Sequence, residues 1–159
     1  MTHTYATHLI WRGNRGTGTS SYTEYGREYR VLIEGKPTLI GSADPTFRGD
    51  PTLHNPEDLF VAALSACHTL AYLALCGRRG VRVLEYQDRA RGTLLTTPDG
   101  GGRFESVTLG PVVTIADDAD AALAAQLHDT AHAQCFIASS CSIPVWHEAT
   151  IRVASVTTV

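Results

Sequence analysis

Two cysteines carry the most chemistry in this sequence, and each sits on a segment that reads as a helix. Cys67 lies within NPEDLFVAALSACHTLAYLALC, residues 55–76, and Cys135 closes DDADAALAAQLHDTAHAQC, residues 117–135. A thiol attacks only as its thiolate. The middle of a helix does nothing to favour that form, so a reactive Cys67 needs a cation from elsewhere in the chain. Arg48, in the loop that feeds the helix, is the leading candidate. Glu57 stands ten residues before Cys67, about 15 Å of helical rise, and cannot touch the sulfur. It suits the role of a carboxylate that holds an arginine in a forked pair. The plainer alternatives are a small buried hydrophobe for Cys67, a helix-dipole charge for Glu57 and a solvated loop residue for Arg48. Cys135 falls at the negative end of its helix, which disfavours a thiolate there. It is a poor first nucleophile, yet it is suited to resolving an oxidised partner. Cys76 and Cys141 read as packing or spectator thiols.

Rival chemistries use the histidines. His128, His132 and Cys135 share one helical face and have the spacing of metal ligands, with Cys67 or His68 as a fourth. They lack the flanking glutamate of a zincin, and chance HxxxH pairs are common. A Cys/His hydrolase is disfavoured because His68, next to Cys67, points about 100° away around the helix. His132 would have to supply the base. GNRGTGTS, residues 13–20, lacks the GK[ST] ending of a phosphate loop and precedes a strand.

The elements around these residues read in order. Residues 2–12 form a half-buried strand, 13–21 a Gly/Ser turn, 22–35 a second strand with a bulge at Gly26, and 36–42 a short third strand. Residues 43–54 form an irregular loop. Asn55 then caps a long helix, with Pro56 at its first position and Glu57 and Asp58 in its first turn. The helix is expected to stop at Gly77, before Arg78 and Arg79. It is apolar nearly all round and must be covered on every side by sheet, helix or a second subunit. Residues 81–97 and 103–116 read as two strands joined by a turn at PDGGG. A second helix over 117–135 carries an apolar stripe at Leu123, Leu127 and Ala131, and residues 136–144 form a loop. A last strand covers 145–156. The class is α+β, in a single domain over residues 1–159.

The composition bounds the function. A net charge of -3 argues against a dedicated nucleic-acid binder. The 43% apolar and 18% charged content is ordinary for a globular chain of 159 residues. The N-terminus has no signal-peptide pattern, which sets the expectation of a cytoplasmic protein with free thiols. Ser65, His68, Thr69 and Tyr72 count against a membrane span in the long helix.

Taken together, NPEDLFVAALSACHTLAYLAL and AHAQCFIASS resemble the OsmC/Ohr family of thiol-dependent peroxidases, and GNRGTGTSSY, GSADPTFRGD and DRARGTL resemble its OsmC-like branch. The match runs along nearly the whole chain. It implies an intertwined homodimer with long central helices sandwiched by antiparallel sheets. By that resemblance Cys67 is the peroxidatic cysteine, Cys135 the resolving cysteine, Glu57 the helix-start glutamate and Arg48 the active-site arginine. Arg15 would take the last role on the Ohr pattern. Phe136 stands where many members have proline. The implied function is reduction of organic hydroperoxides or hydrogen peroxide, through a Cys67 sulfenic acid and a Cys67–Cys135 disulfide. A dithiol, such as a lipoyl protein, would be the reductant, and no metal, haem or flavin would be needed. A non-catalytic redox-sensing or ligand-binding protein of the same fold is the alternative.

Overall fold

In the computed structural model, which describes residues 1–154, nine strands and three α-helices follow in the order βββ-α-ββββ-αα-ββ. The chain divides into two units, Met1–Phe60 and the residues from Val61 onward.

The first unit is the expected meander. Strands β1 (His8–Trp11), β2 (Tyr29–Leu32) and β3 (Leu39–Gly41) pair antiparallel in that order, with Trp11 opposite Tyr29 and Tyr29 opposite Gly41. The strands are shorter than the sequence suggests because aromatic residues fold the intervening segment back on itself. The Trp11 indole donates to the Gly26 carbonyl at 2.8 Å, and Tyr25 meets Trp11 edge-on. The Arg27 guanidinium lies over the Tyr22 and Tyr25 rings. Gly26 therefore anchors a loop rather than bulging a strand. Gly13 allows the approach, since a Cβ there would lie 1.8 Å from the Gly26 carbonyl oxygen. A 3-10 turn at Pro45–Phe47, capped by the Asp44 carboxylate, ends in Arg48 at φ 68°.

Helix α1 (Pro56–Arg79) starts where its signals say. The Asn55 side-chain oxygen accepts from the Asp58 amide at 2.8 Å, and Asp58 accepts from the Asn55 amide at 3.4 Å. The helix runs two residues beyond the expected stop at Gly77. Gly80, at φ 79°, ends it, and the Val81 amide returns to the Cys76 carbonyl at 3.0 Å. Only Leu64, His68, Tyr72 and Cys76 are buried, one residue per turn. The stripe through Ala62, Ala63, Ala66, Leu70 and Ala74 is exposed, with Leu70 at 68%. The all-round cover expected of this helix is thus not supplied by the described residues of one chain. Among the described residues, α1 is the one helix long and apolar enough to cross a membrane by length and composition.

In the second unit each of the two long expected strands breaks in two. The first becomes β4 (Val83–Asp88) and β5 (Arg91–Thr96), and the second becomes β6 (Gly102–Leu109) and β7 (Pro111–Ile115). The corner forms at Gly110, whose amide turns to the Asp88 carboxylate at 2.7 Å, while Pro111 has no amide to give the ladder. Strands β4 and β5 therefore enter different sheets, β4-β7-β9 and β5-β6-β8. Strands β8 (Val145–His147) and β9 (Thr150–Val153), which replace the single last strand, join β6 and β7 in parallel. Residues 155 and 156 of that expected strand lie outside the described residues. A 3-10 turn at Asp118–Asp120 leads into α2 (Ala121–Gln134), and a short α3 (Phe136–Ser139) stands where a loop was expected. The core joins Tyr72 and Cys76 of α1, Val113 and Ile115 of β7, and Ala124, Leu127 and Ala131 of α2.

Candidate active site

The second unit brings Cys67 and Cys135 together from 68 positions apart. Cys67 sits mid-α1 and is half-buried, and Cys135 closes α2 and is 1% exposed. Both are free thiols. Their sulfurs are close enough for Cys67 to perturb the ionisation of Cys135. Burial pushes the Cys135 thiol up to about 11; the Ala138 amide, which donates to its sulfur at 3.5 Å, opposes the rise, and the neighbouring Cys67 sulfur adds to it. Cys135 is therefore held as a thiol, by burial and not by the helix-end charge from which the sequence argued. Its sulfur serves α3 as an N-cap.

Cys67 opens onto a groove of about 620 Å³. Leu70, Ala71 and Ala74 of α1 and Phe136 of α3 give it apolar walls, and Arg78 lines it as a cation. Phe136 is 81% exposed.

Arg48 and Glu57 belong to the first unit, and no ion pair joins them among the described residues. Arg48 is exposed and lines a cavity of about 400 Å³ together with Arg15, the other candidate arginine. There Arg15 pairs with Glu28 at 3.3 Å. Glu57 faces Tyr29, whose hydroxyl is held above its usual range first by burial and then by that carboxylate.

Of the two α2 histidines, which the sequence allowed to face solvent, His132 is half-buried and His128 is turned inward. His128 is fully buried and stacks on Tyr72 at 3.8 Å, and its Nδ1 lies 3.0 Å from His68 Nε2. Among the described residues, no group of three or more histidines, cysteines or carboxylates is arranged to hold a metal. His147, which joins this cluster from β8, carries no signal in its local sequence. The HxxxH spacing on α2 was the one mark of the cluster that sequence could show. Cys76 is buried in the core, where burial raises its pKa, and Cys141 donates to the Ala138 carbonyl at 3.3 Å.

The profile of OsmC-like proteins matches residues 49–149. The chain belongs to the OsmC-like family. Solved structures agree with that assignment. An OsmC-like protein of unknown function from Vibrio cholerae is 26% identical, superposes with a TM-score of 0.82, and matches over 94% of this chain and 100% of its own. Two organic hydroperoxide resistance proteins share the fold, each 20% identical. The one from Legionella pneumophila has a TM-score of 0.67 over 96% of this chain and 100% of its own. The one from Bacillus subtilis has a TM-score of 0.59 over 92% and 98%. Comparison with curated protein sequences finds no significant match.

Proposed function

We propose that this OsmC-like protein is a two-cysteine peroxidase that reduces hydroperoxides. The observation that carries the reading is the meeting of Cys67 and Cys135, with Cys67 opening on an apolar groove that suits an organic hydroperoxide. The Cys67 thiolate attacks the distal oxygen, the O–O bond breaks, and the alkoxide takes a proton to leave as alcohol. Cys67 becomes a sulfenic acid. The Cys135 sulfur displaces hydroxide from it as water, forming the Cys67–Cys135 disulfide, and an external dithiol returns both to thiols. Arg48 is the proposed cation that favours the Cys67 thiolate and stabilises the leaving oxygen, with Glu57 as its orienting carboxylate. Arg15 is its alternative.

We place this chemistry in one OsmC-like domain, in a homodimer and in a reducing cytoplasm. The exposed alanine stripe of α1 supports the dimer, because small side chains let two helices approach closely and Leu70 is otherwise left in water.

Steady-state consumption of tert-butyl hydroperoxide with a recycling dithiol tests the reading. Cys67→Ser should abolish it, and Cys135→Ser should trap a sulfenic acid detectable as a dimedone adduct on Cys67. Full turnover by Cys67→Ser would overturn it. A redox sensor without turnover is the second reading. It is favoured by the raised pKa of Cys135, which slows the resolving step. A single oxidation equivalent with no recycling would identify the sensor.

A further inference from the structure

Apart from the thiols, the second unit gathers four histidines from three elements. They are His68 on α1, His128 and His132 on α2, and His147 on β8. The His68 ring lies 5.3 Å from that of His128 and 5.5 Å from that of His147, and His132 lies 5.7 Å from His147. His68 and His128 are fully buried. In the contact between His68 Nε2 and His128 Nδ1 one nitrogen must donate and the other accept. The outer nitrogens of the pair, His68 Nδ1 and His128 Nε2, have no partner. Whichever tautomers form, one buried donor and one buried acceptor go unpaired, a cost that native interiors usually avoid.

The groups facing the pair offer little to a proton. From α1 comes Tyr72, with Cys76 behind it, and from β4 come Tyr86 and Asp88. The Asp88 carboxylate already accepts from Ser65 and Gly110. From α2 comes His132 and from β8 comes His147. His147 is itself paired at 3.2 Å with Asp129 of α2, which is mostly exposed. Among the described residues, no carboxylate is bonded to His68 or His128.

The pair also lies where α2 is fastened to α1. Tyr72 stacks on His128 and donates to the Ala124 carbonyl at 3.0 Å. Helix α2 is only 14 residues long, too short to persist in water without such packing. It carries Cys135 at its end, and His68 follows Cys67 directly in the chain.

We propose that the histidine cluster is an acid-operated latch: protonation of the His68–His128 pair releases α2 from α1 and parts Cys135 from Cys67. Two imidazolium rings in this contact would oppose N–H to N–H with like charges in a buried site. The direction of the pKa shifts agrees. Burial, then the charges of His147 and His132, hold His68 down at about 4, against which Asp88 pulls upward. Burial, then His68 and His147, hold His128 down at about 3. The fastened form refuses protons that a released helix would take at the ordinary histidine pKa of roughly 6.5, so acid favours release. The latch stands on the fold alone; its use as a brake on disulfide formation rests on the peroxidase reading.

The test uses the reduced full-length protein without peroxide between pH 7.5 and 4.5. Cysteines are pulse-labelled with 4,4′-dithiodipyridine, which keeps reacting in acid. Rates are normalised to the urea-unfolded chain at each pH. Amide exchange is followed in parallel and corrected for its intrinsic pH dependence. At pH 4.5 Cys135 should label at least tenfold faster than at pH 7.5. Amides of residues 121–134 should lose protection, while those of residues 102–109 keep theirs. The double variant His68→Gln/His128→Gln can bond amide to amide without titrating, and its acceleration should stay below twofold. Should that variant not fold, the wild-type ring resonances of His68 and His128 must titrate together with the loss of protection in residues 121–134. Unchanged labelling, simultaneous opening of residues 102–109, acceleration in the double variant, or ring titration that does not track the opening would each overturn the latch. Peroxide turnover measured separately at pH 7.5 reports on the peroxidase reading and not on the latch.

Discussion

Asp88 ties the sheet corner to the long helix, and its removal gives a graded test of how that corner is held. One carboxylate oxygen accepts the Gly110 amide at 2.7 Å, where the strands pass from one sheet to the other. The other accepts the Ser65 hydroxyl of α1 at 2.5 Å. A hydrogen bond to a charged group contributes about 1.5–3 kcal/mol. Asp88 is half-buried, so the lower end applies to each, and Asp88→Ala should cost about 3 kcal/mol. Asp88→Asn keeps an oxygen for Gly110 and can turn its amide toward the Ser65 oxygen, so only the charge assistance is lost, about 1 kcal/mol. Urea unfolding at pH 7.5 measures both, and the lost carboxylate should appear as a lower midpoint at unchanged slope. In a chain of this size the alanine variant should melt roughly 6–12 °C lower, at about 2–4 °C per kcal/mol. If Asp88→Ala costs under about 0.5 kcal/mol, the range typical of surface changes, or Asp88→Asn costs as much as alanine, the two hydrogen bonds do not hold the corner as described and the reasoning fails.

Global stability should fall with acid. His68 and His128 have folded pKa values below the unfolded one, so their contribution is complete above the unfolded pKa and is lost as pH drops through the folded values of about 4 and 3. Near pH 5 the two together give a slope that approaches about 2.7 kcal/mol per pH unit, read from urea midpoints, and a flat profile would contradict their burial as neutral rings. The carboxylates Asp44, Asp50 and Asp99 are shifted downward by hydrogen bonds to threonine neighbours, so what they contribute is present above the carboxylate range and is lost only as pH falls through it. Ala66→Glu, in the exposed stripe of α1, should halve the mass seen by light scattering if that stripe is the dimer contact. An unchanged mass would move the contact elsewhere.

Much of the frame was legible because local chemistry agrees with it. Asn55, Pro56 and the acidic first turn mark the start of α1, and the two thiol-bearing helices follow from periodicity and caps. Other features depend on tertiary partners that no local window contains. The break of two long strands at Arg89–Gly110 rests on a bond between Gly110 and Asp88, and the loop at Gly26 rests on the distant Trp11. Helix α1 ran past Gly77 because that residue continues the helix and Gly80 supplies the left-handed stop. For Cys67 and Cys135 alike, local sequence left core packing as the plainer alternative to chemistry. Their pairing was suggested by family resemblance, and the second unit brings them side by side through the packing of α2 on α1. The burial of His128 escaped notice because an amphipathic pattern does not distinguish a satisfied surface imidazole from one stacked on Tyr72.

The Cys135 sulfur also has a duty to the short segment Phe136–Ser139, whose first turn it terminates by receiving the Ala138 amide. A sulfur committed to a covalent bridge is reoriented and is a weaker lone-pair donor, so forming the bridge would withdraw that support and loosen the turn bearing the outward Phe136 ring. The oxidised and reduced proteins would then differ in outline at one aromatic side chain.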